Sequence, residues 1–241
     1  MAPLPIEGSV ALVTGAGRGL GAAFARALLE RGAARVYASA RDVSAIATPG
    51  VVPLRLDVTK PDDVAAIVQT CGDLTLLVNN AGVLESGLLG DLDAVDAARR
   101  QIETNALGPL ALSAALAPTL GANGGGAIVN VLSVLSWVSL PGTGGYSMSK
   151  AAAWALTNAL RVELVSQGTS VVGVHSGFID TDMAAGVEGP KSTPEEVAAL
   201  ALDAVEAGRP EVLVDDVSRM VRARLADGLD ALYPQPGASD G

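Results

Sequence analysis

The 241-residue chain holds one cysteine, one histidine and only 3% aromatic residues. Cys71 has no partner within the chain, which excludes an internal disulfide scaffold. With His175 as the lone histidine, the chain also lacks the ligand set of a Cys/His metal site, so no metal is expected. Scarce aromatics leave the core to Ala, Val, Leu and Gly. Charged residues make up 17%, and none lies between positions 104 and 149. That stretch is interrupted by Pro109, Pro118, Gly121, Gly124, Gly125, Gly126, Pro141 and Gly142. It therefore lacks the roughly 20 continuous apolar residues of a membrane span. Buried helices, a central strand and a subunit interface account for the missing charge. Basic residues are outnumbered 16 to 26, for a net charge of −10, which disfavours nucleic acid and anionic membrane as partners. The opening MAPLPIEGSV has no basic segment leading into an apolar run, so no secretory signal is expected and the expected location is cytoplasmic.

Apolar residues, by contrast, are abundant and patterned. They reach 49%, which excludes intrinsic disorder. Short apolar runs at 9–14, 35–40, 51–56, 74–79, 127–132, 170–175 and 211–214 predict strands. Helical spacing predicts helices over 20–31, 62–70, 91–120, 146–166 and 194–207. Segment 41–50, with Pro49 and Gly50, is too short for a full helix and predicts a reduced connection. Strands alternating with helices imply parallel pairing through right-handed crossovers. Continuous apolar runs fit strands buried on both faces. The expected fold is α/β: a doubly wound, seven-stranded parallel sheet of Rossmann type. It forms one domain over residues 1–233, with a disordered tail at 234–241.

The first strand leads directly into Thr14-Gly15-Ala16-Gly17-Arg18-Gly19-Leu20-Gly21. Glycines let backbone N–H groups approach a ligand closely, and the positive end of the following helix suits a pyrophosphate. Strict G-x-G-x-x-G fails from Gly15, whose sixth position is Leu20. From Gly17 the Ala variant fits, through Gly19 and Ala22. Gly15, Gly17, Arg18, Gly19, Leu20 and Gly21 are the expected cofactor cradle. The ribose reader should stand about 20 residues beyond this loop, and Arg41 is there. An acid would hold the 2′-hydroxyl of NAD, whereas arginine neutralises the 2′-phosphate of NADP. NADP(H) is therefore expected over NAD(H), with Arg18 as a second cation and Asp42, one position late, as the competing signal.

Chemistry is carried by Ser133 and Tyr146-Ser147-Met148-Ser149-Lys150. Tyr146 and Lys150, four apart, share one face of a helix. An ammonium beside a phenol stabilises phenolate and lowers its pKa toward working pH. Ser133, at the end of the fifth strand, is placed to bond the same substrate oxygen at the carboxyl edge of the sheet.

Together with Asp57-Val58, Asn79-Asn80-Ala81-Gly82, Asn105 and Gly177-Phe178-Ile179-Asp180-Thr181, these motifs resemble the short-chain dehydrogenase/reductase family over residues 10–214. The resemblance implies that Tyr146 is the acid/base and that Lys150 lowers its pKa and binds the nicotinamide ribose. It implies that Ser133 positions the carbonyl, and that Asn105 kinks its helix and holds a water for proton relay. Asp57 and Val58 would contact adenine. Asn80, Ala81 and Gly82 would line the adenosine side, and Ile179 and Thr181 would hold the carboxamide. One departure stands out: the family usually has Pro-Gly after the sixth strand, and this chain has Ser176-Gly177. Losing proline removes a fixed φ, so a looser turn is expected there.

The expected activity is NADP(H)-dependent interconversion of a ketone or aldehyde and an alcohol. A 3-oxoacyl-thioester reductase and a noncatalytic NADP(H) sensor or scaffold are the alternatives. Specificity is expected in segments 134–145, 84–89 and the lid 182–193. Leu84, Leu135, Trp137, Leu140 and Met183 suggest an uncharged, hydrophobic substrate. An acidic carrier protein is opposed by the −10 charge unless Arg99 and Arg100 form a basic patch. Met148, Trp154 and Leu156 are expected to pack, and the resemblance implies a homodimer or homotetramer built on the helices at 91–120 and 146–166. His175 is expected to be structural and Cys71 inert. Arg222, Asp227 and Asp230 are expected on a solvated helix face.

Overall fold

The computed structural model describes residues 2–233; the expected tail, 234–241, lies outside the described residues. Seven parallel strands form one sheet: β1 (Val10–Thr14), β2 (Arg35–Ala40), β3 (Val52–Arg55), β4 (Leu76–Asn79), β5 (Gly126–Val131), β6 (Thr169–His175) and β7 (Glu211–Leu213). Their order is β3-β2-β1-β4-β5-β6-β7. The chain therefore runs outward from β1 to β3 and then returns to the far side of β1. That reversal opens a crevice at the carboxyl ends of β1 and β4, where ligands of such sheets bind.

Among the described residues, eight α-helices flank the sheet: α1 (Gly19–Glu30), α2 (Pro61–Thr70), α3 (Ala94–Ile102), α4 (Gly108–Ala122), α5 (Gly144–Glu163), α6 (Pro194–Glu206), α7 (Asp216–Arg224) and α8 (Leu229–Leu232). Strand residues alternate between two faces. Ala11, Val13, Leu76, Val78, Val172 and Val174 pack with the α1 and α6 side chains around Phe24. Leu12, Leu77, Ile128 and Val171 pack with α2, α4 and α5. The core is aliphatic, as the composition requires.

Several expected boundaries move for visible reasons. The stretch 91–120 is interrupted: a π-helical turn, Glu103–Leu107, separates α3 from α4. Pro53 stands inside β3, which is tolerated because β3 is an edge strand. Segment 41–50 shrinks to one 3-10 turn, Val43–Ala45, capped by Asp42. No helix among the described residues is long and apolar enough to cross a membrane. Met148 does not pack, being half exposed. Trp154 and Leu156 do pack, against separate clusters. The C-terminal helices carry more than solvated charge: Arg222 donates to Glu211 at 3.2 Å and lies 5.8 Å from the Trp137 ring centre.

Candidate active site

The phosphate-type loop is held by its own backbone geometry. Gly15 has φ +66° and Gly19 φ +52°, values open to glycine. At Gly21 a Cβ would stand 2.2 Å from the Gly15 carbonyl oxygen, so only glycine closes this turn. Thr14 and Asn80 join the two strands at the crevice. Thr14 Oγ1 accepts from Asn80 N at 2.9 Å and Ala81 N at 3.0 Å, and Asn80 Nδ2 donates to the Thr14 carbonyl at 2.8 Å. Asn80 thus braces the loop. Helix α1 begins without a side-chain cap and without an acid in its first turn. An uncapped positive helix end beside a glycine turn fits the pyrophosphate of a dinucleotide.

The remaining expected cofactor residues surround this crevice. Arg41 is exposed just past β2, close enough to help lower the Asp57 carboxyl. Burial pushes that carboxyl up, but Thr59 hydrogen bonds and the charges of Arg41 and Lys60 outweigh it. Asp42 is turned aside: its Oδ1 accepts from Ser44 N at 2.9 Å and Ser44 Oγ at 2.7 Å. Val58 is buried against α4, where a Cβ on Gly108 would meet its Cγ2 at 2.7 Å. A Cβ on Gly82 would lie 3.2 Å from Asn105 Oδ1, so this glycine admits the Asn105 side chain. Thr181 packs beside Gly19, and Ile179 bridges to Ser192 at the base of the lid. Arg18 lies at the mouth of the crevice. It donates to Asp182 at 2.8 Å, tying the loop to the lid. Both side chains are largely exposed, and such a pair is worth at most about 1 kcal/mol, so a ligand displaces it readily.

Ser133, Tyr146, Lys150 and Asn105 converge at the carboxyl end of β5. Ser133 is extended and caps the short turn Val134–Ser136, accepting from Leu135 N at 3.1 Å. Tyr146 and Lys150 lie on α5 and are buried. Lys150 Nζ donates to the Val131 carbonyl at 2.7 Å and sits 5.6 Å from the Tyr146 ring centre. Asn105, on the π turn, donates from Nδ2 to the Val83 carbonyl at 2.8 Å and to Ser149 Oγ at 2.9 Å; its Oδ1 accepts from Val83 N at 2.8 Å. Its side chain therefore clamps the loop after β4 to α5.

The electrostatics differ from expectation at Tyr146. Burial pushes its phenol above the ordinary value, by more than the nearby Ser133 side chain pulls it down. The Lys150 ammonium rests on a carbonyl instead of the phenol oxygen. Burial also lowers Lys150, to about 8. Around Tyr146, Val134, Leu135, Leu84, Trp137, Val138 and Val221 form an apolar cluster. Trp137 itself is held by packing: it stacks on His175 at 3.8 Å and meets Trp154 edge-on at 6.4 Å. Leu140 and Met183 remain exposed.

Residues 9–191 match the family model described as short chain dehydrogenase. The chain belongs to that family. Among solved structures, this short chain dehydrogenase is similar to one from Burkholderia cenocepacia J2315 in complex with NADP. The identity is 40% and the TM-score 0.91, covering 97% of this chain and 100% of that one. It is 38% identical over 214 residues to a cis-4-hydroxycyclohexanecarboxylate dehydrogenase of Sinomonas cyclohexanicum, covering 78% of this chain and 86% of that protein. A 3-oxoacyl-(acyl-carrier-protein) reductase of Vibrio harveyi is 33% identical over 213 residues, covering 85% and 84% respectively.

Two parts of this dehydrogenase's site escaped the sequence reading. Ser149 donates to the Tyr146 carbonyl at 2.7 Å and accepts from Asn105, linking the π turn to the tyrosine. Buried Gln101 bonds the N–H and carbonyl of Glu85, fixing the segment before the 84–89 region turns outward. Ser149 was visible as the residue before Lys150. Gln101 carried no signal beyond its place on a helical face.

Proposed function

We propose that this chain is an NADP(H)-dependent oxidoreductase that interconverts a small, uncharged, hydrophobic ketone or aldehyde and its alcohol. One observation carries the reading: Ser133, Tyr146 and Lys150 are buried together at the carboxyl edge of the sheet, beside an uncapped helix start and a glycine turn. When bound, the nicotinamide supplies or accepts the hydride. Ser133 and Tyr146 hydrogen-bond the substrate oxygen, where negative charge develops. Tyr146, held protonated by burial, gives its proton to that oxygen. Lys150 holds a positive charge next to the tyrosine, and Asn105 fixes the backbone around both. The Tyr146 cluster is apolar, which supports an uncharged substrate.

Lys150 sets the expected pH profile. With its pKa lowered to about 8, its charge is complete at neutral pH and is lost as pH rises through that value. The reduction rate should hold between about pH 6 and 7 and fall above about pH 8. A rate that shows no fall until about pH 10, the range of an unperturbed lysine, would remove this role.

The NADP(H) preference is supported by Arg41 being exposed at the reader position and Asp42 being occupied with Ser44. It is also supported by the NADP bound to the Burkholderia relative. Arg41→Ala should remove a charged contact of about 1.5–3 kcal/mol. Titration calorimetry should then show NADPH binding weakened roughly 10- to 100-fold and NADH binding unchanged. Equal losses for both cofactors would place Arg41 outside the 2′-phosphate site.

The similarity to 3-oxoacyl reductases favours a second reading, an acyl thioester on an acidic carrier. Against it, Arg99 stands 2.9 Å from Asp96 and Arg100 2.6 Å from Glu85, so the two arginines are matched by acids and make no basic patch. Assembly as a homodimer or homotetramer is supported by exposed Leu107, Leu110, Met148 and Val162 on and beside α4 and α5.

A further inference from the structure

One peptide group joins the C-terminal helices to the reaction site. Its carbonyl, on Ser176, accepts from Val134 N at 2.9 Å and from Ser133 Oγ at 3.5 Å. Its N–H, on Gly177, donates to Asp215 Oδ2 at 2.6 Å. The other carboxylate oxygen, Asp215 Oδ1, accepts from Ser218 N at 2.8 Å and caps α7. A Cβ on Gly177 would come within 3.2 Å of Asp215 Oδ2, so glycine leaves this approach open.

We infer that Asp215 is a positioning residue for Ser133, acting through the 176–177 peptide. The inference rests on the catalytic assignment of Ser133 and Tyr146 proposed above. A peptide is planar, so fixing its N–H direction also fixes its carbonyl direction. A carboxylate is a strong acceptor for that N–H, and hydrogen bonds in series polarise one another. The Ser176 carbonyl thus stays aimed at Val134 N and the Ser133 hydroxyl. The 2.9 Å bond to Val134 N holds the backbone next to Ser133, and the 3.5 Å contact with Ser133 Oγ is too long to hold the hydroxyl proton firmly. The same peptide opens the segment leading to Ile179 and Thr181. At Ser176 no proline ring fixes φ; the restraint comes from Asp215 across the turn. Far from being loosened, the turn is bonded on both sides of this peptide.

The test separates capping from positioning. Asn and Ser cap helices about as well as Asp. Asn, however, offers one acceptor oxygen in place of two, and Ser offers one on a shorter stem. Asp215→Asn and Asp215→Ser should keep thermal stability within a few degrees and keep NADPH affinity, while turnover falls about 10-fold. A second readout needs no substrate. With tyrosine labelled at Cζ, the Tyr146 resonance, assigned by its absence in Tyr146→Phe, should move in both variants while Tyr37 stays fixed. An unmoved Tyr146 resonance in both variants overturns the inference. If the resonance moves yet Ser133→Ala keeps full turnover, the link stands and the catalytic assignment fails instead.

Discussion

Replacing Tyr146 by phenylalanine should lower turnover by about 1,000-fold or more, near 4 kcal/mol of transition-state stabilisation, with NADPH affinity unchanged. The ring stays, so its packing with Leu135 and Val134 is preserved. What disappears is the hydroxyl, the group of this apolar cluster that can hand a proton to a carbonyl oxygen. Lys150 Nζ is held at the Val131 carbonyl, 5.6 Å from the centre of the Tyr146 ring, and does not occupy the place of the lost hydroxyl. Burial that raises the phenol pKa favours its acid form. Single-turnover measurements under saturating NADPH are the appropriate check, since they separate the chemical step from cofactor release. A variant within a few fold of the parent would remove Tyr146 as the proton donor.

The second large effect is on stability, and it belongs to His175. This side chain is fully buried, with Nδ1 on the Ser133 carbonyl at 3.1 Å and Nε2 3.7 Å from Glu211. Burial lowers its pKa to about 4, against smaller opposing effects of the Ser133 carbonyl and Glu211. The unfolded chain takes up a proton near the ordinary value of about 6.5, whereas the folded chain resists until about 4. Folding stability should therefore fall as pH drops from about 6.5 to about 4, by about 3 kcal/mol in total. Above about 6.5 the group contributes no slope. His175→Phe, which can keep the stack on Trp137, should remove most of this acid slope in urea titrations. The chain has no other histidine, so a slope unchanged in that variant would contradict the assignment. Cys71 is structural in the same sense: burial raises its thiol to about 12, leaving it unreactive.

These expectations rest on features of unequal visibility in the sequence. The sheet was legible because strands buried on both faces are short and mostly apolar, as in β1 and β4, even where Asn130 in β5 and Ser170 and His175 in β6 interrupt the run. Tyr146 and Lys150 were legible because helical spacing alone puts them on one face. The break at Asn105 was implied only by the family resemblance, since the uncharged stretch after it has no charged face whose rotation would reveal a π turn. The phenol's raised pKa was also hidden. Four-residue spacing shows that Lys150 is near Tyr146, but not that a main-chain carbonyl takes its ammonium. Arg18 looked like a phosphate ligand, and only the folded lid shows Asp182 waiting for it. The link from Asp215 to Gly177 spans 38 residues and joins two loops, so no local pattern announces it.

The central claim is that this chain reduces carbonyl groups with NADPH. The most direct test is the initial rate of cofactor oxidation, measured in parallel with NADPH and NADH against uncharged alicyclic, aromatic and aliphatic ketones and aldehydes, with Tyr146→Phe as the control. Turnover that prefers NADPH and vanishes in the control is expected. Turnover that prefers NADH, or that survives loss of the Tyr146 hydroxyl, would contradict the claim.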